Sequence, residues 1–314
     1  MGALTLSSRA IIGEFFARLQ ANPGSAWIDA VSMLFQSDQE SETYKWLGMS
    51  PAMREWIGGR NAKGFRENGI TIVNKDYEAT MEVLTKELRR DKTGQVLVRV
   101  RELADRTNSH WASLLSTLII AGEAAACYDG QYYFDTDHSE GSSGTQSNDL
   151  SIDISALACN QHGSTTAPSP EEMEQCILQA IAAILGFKDD QGEPLNEGAN
   201  SFLVMTPLSL MPAALAAVTN PVLTSGKTNT IVTADFSIKP VANPRLTWTT
   251  KFAVFRTDGN VKPFIRQEEV PVSIEAIAEG SELEFNEKKH HYGVSATRNV
   301  GYGYWQHACL VTMT

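Results

Sequence analysis

A long periodic run, residues 93–126, constrains the fold of this chain more than any other feature. Its apolar side chains recur at steps of three and four residues, the spacing that keeps them on one face of an α-helix. Globular helices average about 11–12 residues, so a helix this long must lie along a large body. We predict that its buried stripe includes Val100, Leu103, Trp111, Leu114 and Leu118.

The composition is that of a globular protein with room for two subdomains. Apolar residues make up 42% and charged residues 20% of the 314 residues. No run of about 18 apolar residues is present, so no membrane partner is expected. The formal net charge of −11 argues against a dedicated nucleic-acid binder, which needs clustered Lys and Arg. An acidic protein can still enclose DNA without binding it tightly.

The first amphipathic segment, residues 8–20, predicts a helix with Phe15 and Phe16 on its apolar side. Such a helix needs a partner surface. It either docks on its own domain or packs against another subunit, and we take Phe15 and Phe16 as candidate intersubunit contacts.

Residues 42–75 form a basic, aromatic and glycine-rich segment within an acidic chain. This composition favours an arm that lies on the acidic surface of a neighbouring subunit. The alternative is a surface loop with ordinary charge scatter. The candidate contact residues are Trp46, Arg54, Trp56, Arg60, Lys63 and Arg66.

The rest of the chain mixes strand and helix patterns, which predicts an α+β fold. Strict alternation over residues 77–83 predicts a strand. Ser169-Pro170-Glu171-Glu172 predicts the start of a helix that ends at Gly186. The last third is expected to be rich in strands, at residues 230–238, 246–255, 292–300 and 304–313.

No motif for catalysis is present: the sequence lacks GxSxG, a P-loop and a GxGxxG that opens a helix. Asp135, Asp137 and His138 are three potential metal ligands in four residues, but no second cluster has ligand spacing. We interpret them as a turn held by Asp side chains. His290 and His291 are interpreted as solvated surface. We therefore predict no catalytic residue, no metal and no cofactor. Four cysteines are interpreted as reduced and mostly buried thiols: Cys127, Cys159, Cys176 and Cys309.

Four short segments resemble the major head subunit (T protein) of Mu-like transposable phages. They are SETYKWLG at 41–48, REWIG at 54–58, KDYEAT at 75–80 and CYDGQYYFDTDH at 127–138. The order of parts also resembles the HK97-type shell fold, with an arm, a projecting loop, a long spine helix and an inserted domain. The resemblance implies a major capsid protein, not an enzyme, that forms the hexamers and pentamers of an icosahedral bacteriophage head around double-stranded DNA.

The HK97-type layout implies four parts in this chain. Residues 1–41 would be the N-terminal arm and 42–75 the E-loop. Residues 76–149 and 268–314 would form the peripheral (P) domain, with the spine helix at 93–126. Residues 150–267 would form the axial (A) domain.

The resemblance also implies partners and a location. The subunit would be a homo-oligomer in the virion, assembled in the host bacterial cytoplasm, and would meet a portal, a possible decoration protein and nonspecifically packaged DNA. The arm starts within a few residues of Met1, so we expect a separate scaffold and protease or a processed product. Two alternatives stay open: an encapsulin-like nanocompartment shell, and a metal-dependent enzyme centred on residues 135–138.

Overall fold

The computed structural model describes residues 7–22, 24–45, 69–91, 93–222, 226 and 228–314. Within these ranges the chain forms, in order, α1 Ser8–Ala21, α2 Trp27–Val31, β1 Ser32–Gln36, β2 Ser41–Tyr44, β3 Ile70–Val73, β4 Lys75–Leu84, α3 Thr85–Arg90, α4 Gln95–Ala121, β5 Asp149–Ile152, α5 Pro170–Gly186, β6 Ser201–Thr206, α6 Met211–Thr219, α7 Thr230–Thr233, β7 Ser237–Ala242, β8 Lys251–Arg256, β9 Phe264–Ile277, α8 Glu282–Glu287, β10 Lys289–Tyr302 and β11 Ala308–Met313.

The spine helix α4 has 27 residues and is shorter than the predicted 93–126. At its start, the Asp91 carboxylate accepts the backbone N–H groups of Gln95 (3.0 Å) and Val96 (2.9 Å). At its end, the chain folds back and the Phe134 N–H donates to the Gly122 carbonyl (2.9 Å). A Cβ at residue 122 would lie 2.7 Å from Phe134 Cδ2, so glycine permits this close approach.

The buried stripe of α4 shifts by one residue in the second half of the helix. Val100 is 1% exposed, as a core position should be, while Leu103, Trp111 and Leu118 are half-buried and pack against the core. Leu114 is half-buried and belongs to neither buried cluster, which corrects its predicted place in the core. The fully buried side chains there are Leu115 and Ile119. The two halves of the helix pack against two different apolar cores, so its buried face changes direction along its length.

The subunit has two separate apolar cores, a smaller one and a larger one. The smaller core joins the first half of α4 to α1, β4 and β10, through residues such as Phe15, Val83, Val100 and Tyr292. The larger core joins the second half of α4 to α5, β6, β8 and β11. A long helix is therefore stabilised along its whole length by tertiary packing instead of by intrinsic propensity.

The smaller core lies on a four-stranded sheet with the order β1-β9-β10-β4. Strands β9 and β10 form a long antiparallel hairpin, β4 pairs antiparallel with β10, and β1 runs parallel to β9. The pairing of β9 with β10 is irregular between Ser295 and Arg298, where the register shifts. The larger core lies on a five-stranded mixed sheet with the order β5-β11-β8-β6-β7.

Strand pairing does not follow the predicted P-domain and A-domain boundaries. The boundary at residues 267 and 268 falls inside β9. The last strand, β11, was expected in the P domain, but it pairs with β8 and β5 in the five-stranded sheet. Sequence order cannot reveal this return, because the strand joins residues far away in the chain.

The local predictions agree with the structure where a helix is well capped. Ser169 and Glu172 form a reciprocal capping box at the start of α5, as their spacing indicates. The predicted strand at 230–238 is wrong: Asn229 caps the short helix α7, and β7 begins only at Ser237. No helix in the described residues has the length and apolarity needed to cross a membrane.

Candidate assembly surfaces

The N-terminal helix α1 docks on its own subunit. Ile11 and Phe15 are fully buried between α4 and the four-stranded sheet. Phe16 is half-buried and contacts the same core, with its ring 5.5 Å from that of Phe15. Phe15 therefore has no surface left for a neighbouring subunit, which corrects its assignment as an intersubunit contact. The physical reason is that the apolar face of α1 joins the same buried cluster as Ala104 of α4, which is itself 0% exposed.

Polar contacts hold the end of α1 against α4. Arg18 donates two hydrogen bonds of 2.8 Å to the Asp105 carboxylate, and the Asn22 side chain donates a third. The hydrogen bonds from Arg18 lower the pKa of Asp105. The docked helix thus combines an apolar face with a directional clamp, which fixes its register along α4.

Phe15→Ala is expected to lower the free energy of unfolding by about 3–5 kcal/mol, because it empties a fully buried site. The measurement is urea denaturation of the dissociated subunit. Phe16→Ala, the same truncation at the neighbouring half-buried position, should cost clearly less. Equal costs for the two variants would contradict the docking of Phe15 in its own core.

The base of the predicted E-loop is a two-stranded ribbon, β2 with β3. Gln267, which is fully buried in β9, ties this ribbon to the sheet: its Oε1 accepts from the Tyr44 hydroxyl (2.9 Å) and its Nε2 donates to the Ile72 carbonyl (3.2 Å). A Cβ at Gly301 would lie 2.3 Å from Ile72 Cδ1, so any larger residue at this position would displace the Ile72 side chain. The predicted contacts Trp46, Arg54, Trp56, Arg60, Lys63 and Arg66 lie outside the described residues.

Trp111 packs between two buried arginines at the middle of the spine. The guanidinium of Arg298 lies 4.6 Å and that of Arg266 5.6 Å from the centre of a Trp111 ring. Arg298 Nε donates to Nδ1 of His110 (3.2 Å). Burial lowers the pKa of His110 to about 4, so this ring is neutral near pH 7 and can accept that hydrogen bond. The arrangement joins α4 to β9 and β10 just below the E-loop base.

Among the large apolar side chains that face the solvent in the described residues, those on or near α6 and at α8 were not identified from the sequence. On and just before α6, Leu208, Met211 and Leu215 are 58%, 40% and 46% exposed. At α8, the turn between β9 and β10, Phe285 is 86% exposed. Grouped exposed apolar side chains mark protein–protein interaction sites. The signal in the sequence was the apolar density of residues 207–218, but it does not reveal which side is covered.

The histidines His138 and His290 are both buried. His290 is 2% exposed and contacts the Glu284 carboxylate (3.0 Å), which corrects its interpretation as solvated surface. Asp135 holds a turn, as predicted, by accepting the N–H groups of Tyr132 (3.1 Å) and Thr136 (2.7 Å). His138 turns away from Asp135 and Asp137 into the interior, where it meets Asp129.

Comparison with known proteins agrees with this architecture. Over 122 residues, 39% of this chain, the sequence is 34% identical to the Mu-like prophage FluMu major head subunit of Haemophilus influenzae. Over 108 residues, 34% of this chain, it is 31% identical to the major capsid protein of Escherichia phage Mu. These matches span only 40% and 35% of the two relatives' own lengths.

Solved capsid structures share the fold over nearly the whole chain. A chain of the bacteriophage JBD30 procapsid is similar with a TM-score of 0.57 and 22% identity, over 98% of this chain and 75% of that one. A chain of the virus-like particle from Pyrococcus furiosus is similar with a TM-score of 0.53 and 10% identity, over 97% of this chain and 98% of that one. The fold is thus the α+β, HK97-like fold of phage capsid subunits.

One family model matches the sequence itself, the Mu-like prophage major head subunit gpT, over residues 9–157 and 232–314. The matched residues include α1, the spine helix and the four-stranded sheet. Because they make up about three quarters of its length, the chain belongs to the family of Mu-like prophage major head subunits.

Proposed function

We propose that this chain is a major capsid protein that self-assembles into the hexamers and pentamers of an icosahedral phage head. The observation that carries the proposal is the apolar stripe Leu208, Met211 and Leu215, which the folded subunit leaves in water. Monomeric proteins rarely expose grouped large apolar side chains, whereas assembling subunits cover them. Family membership supports the same function.

We propose that one part of the subunit is a rigid body and that two other parts make the contacts between subunits. The body consists of α4 with the two sheets. The α6 stripe faces neighbours around a capsomer axis. The segment that joins β2 to β3 extends from the Gln267-anchored ribbon onto an adjacent subunit. A two-stranded ribbon is at best marginally stable alone in water, so its outer part needs such a partner surface. Many modest contacts repeated around a closed shell give a strong assembly through multivalency.

We further propose that the head encloses double-stranded DNA with few and nonspecific contacts. The net charge of −11 per subunit disfavours close phosphate binding. The expected partners are a portal, a separate scaffold and protease, and a decoration protein. Assembly takes place in the host bacterial cytoplasm, and the final location is the virion.

Leu215→Asp is expected to abolish shells while it leaves the subunit folded. Leu215 is 46% exposed, so the loss of helix propensity and of partial packing should lower the free energy of unfolding by only about 1–2 kcal/mol. An aspartate in a covered apolar contact would be desolvated without a partner, which is costly. Size-exclusion chromatography with negative-stain microscopy measures the loss. The control is Leu215→Met, which keeps the apolar surface and should assemble. If Leu215→Asp formed normal shells, α6 would not lie in an interface between subunits.

The contents of purified particles distinguish this function from an encapsulin-like nanocompartment. Particles from an infected or induced host are expected to contain nuclease-protected double-stranded DNA. Particles that hold a cargo protein and no nucleic acid would instead favour the nanocompartment.

A further inference from the structure

Three different metal-binding side chains converge just after the spine helix. The Cys127 Sγ lies 2.9 Å from Asp129 Oδ1, and Asp129 Oδ2 lies 2.7 Å from His138 Nδ1. One ligand atom from each of the three side chains lies within 4.8 Å of the others. The side chains of His138 and Asp129 are 0% and 3% exposed, and Cys127 is 7% exposed. This is a buried thiol, carboxylate and imidazole set, not a surface group of acids.

The surroundings of His138 select the nitrogen that faces the cluster. Asn148 is fully buried, and its Nδ2 donates to the carbonyls of Tyr133 (2.8 Å) and Trp305 (3.4 Å). Its Oδ1 must therefore accept from Nε2 of His138 (3.2 Å). Metal-binding histidines usually donate their second N–H to a carbonyl or carboxylate oxygen in this way, which orients the ring. The ring also stacks on Trp305 with 3.9 Å between centres and 7° between planes.

We propose that Cys127, Asp129 and His138 bind one zinc ion, with water in the fourth position. Thiolate, imidazole and carboxylate are the donors that zinc takes in proteins, whereas calcium and magnesium take oxygen donors. The ion would tie the turn at residues 127–131 to His138 and, through its ring, to Trp305. It would brace the end of the spine against the five-stranded sheet. This inference does not depend on shell assembly.

Zinc analysis of the full-length protein tests the site. Protein purified without chelator should contain about one zinc ion per chain by mass spectrometry. After the zinc is removed, added Co²⁺ should give a thiolate-to-cobalt charge-transfer band together with the visible bands of tetrahedral cobalt. Both signals should be lost in Cys127→Ala and in Asp129→Asn. The second variant keeps the shape of the side chain and a hydrogen bond to His138, so it should remain folded.

Cys159→Ser is the matched control. Cys159 is a half-exposed thiol near His162 and Glu172, where the Glu172 carboxylate already accepts the backbone N–H groups of Gly163 (2.9 Å) and Ser169 (2.7 Å). This variant should keep the zinc and the cobalt spectrum. A folded wild-type protein that gives no charge-transfer band with Co²⁺ would overturn the proposal, as would a band that persists in Cys127→Ala and disappears in Cys159→Ser.

Discussion

Leu115→Asp is expected to leave no soluble, folded subunit. Leu115 is 0% exposed and belongs to the larger core. Removing a buried leucine side chain costs about 2–5 kcal/mol, and burying an unpaired carboxylate adds several more. Together these approach the whole stability of a typical domain, about 5–15 kcal/mol. The measurement is the soluble fraction after expression, followed by circular dichroism of any soluble protein.

Leu114→Asp is the matched control, because it makes the same change at the adjacent residue of the same helix. Leu114 is half-buried and outside both cores, so the new carboxylate can reach water. This variant should remain soluble and helical, although less stable than the parent. If the effects of the two variants were reversed, the buried face of the second half of α4 would have to be reassigned.

Deleting residues 48–68 is expected to give subunits or free capsomers that cannot close into shells. The body should still fold, because the ribbon β2–β3 keeps its contacts with Gln267. The lost segment contains Trp56, and a ring of this size contributes roughly 1.5–3 kcal/mol when a neighbour buries it. A short Gly-Ser linker should join the two strands. Negative-stain microscopy and the melting temperature of the subunit are measured together.

Closed particles of normal size would contradict the role of the segment as an intersubunit arm. A control with Trp46 and Trp56 replaced by phenylalanine keeps apolar rings in the segment and should still assemble.

The sequence predicted the elements whose signals are local. The docked helix α1 and the capped helix α5 lie close to their expected positions, because periodicity and capping residues determine both. The spine was recognised for the same reason. Its buried face in the second half was predicted one residue out of phase, since the direction of the larger core depends on strands that come much later in the chain.

Long-range pairing explains most of the remaining differences. The return of β11 to the five-stranded sheet depends on β8 and β5, which no short window contains. The same holds for His290, which is buried because α8 folds back over β10. The predicted strand at 230–238 failed because the side chain of Asn229 caps a helical turn, a signal weaker than the apolar run beside it.

The candidate surfaces were predictable only in part. The basic segment 42–75 stands out by composition, and it remains a predicted arm. The exposed stripe on α6 could not be assigned, because the spacing of Leu208, Met211 and Leu215 suits a buried face equally well. The Asp129-Gly130 pair indicates a turn in the sequence, but it does not predict that His138 returns to contact Asp129 beside Cys127.

Electron microscopy of the purified protein shows whether the subunit assembles into a shell. As the concentration rises, we expect sixfold and fivefold rings, and closed icosahedral shells once the scaffold partner is supplied. In a reconstruction of such shells, the α6 stripe should face neighbouring subunits around each ring. A protein that stays monomeric at high concentration, with the scaffold partner present and with α6 in water, would contradict the proposed assembly.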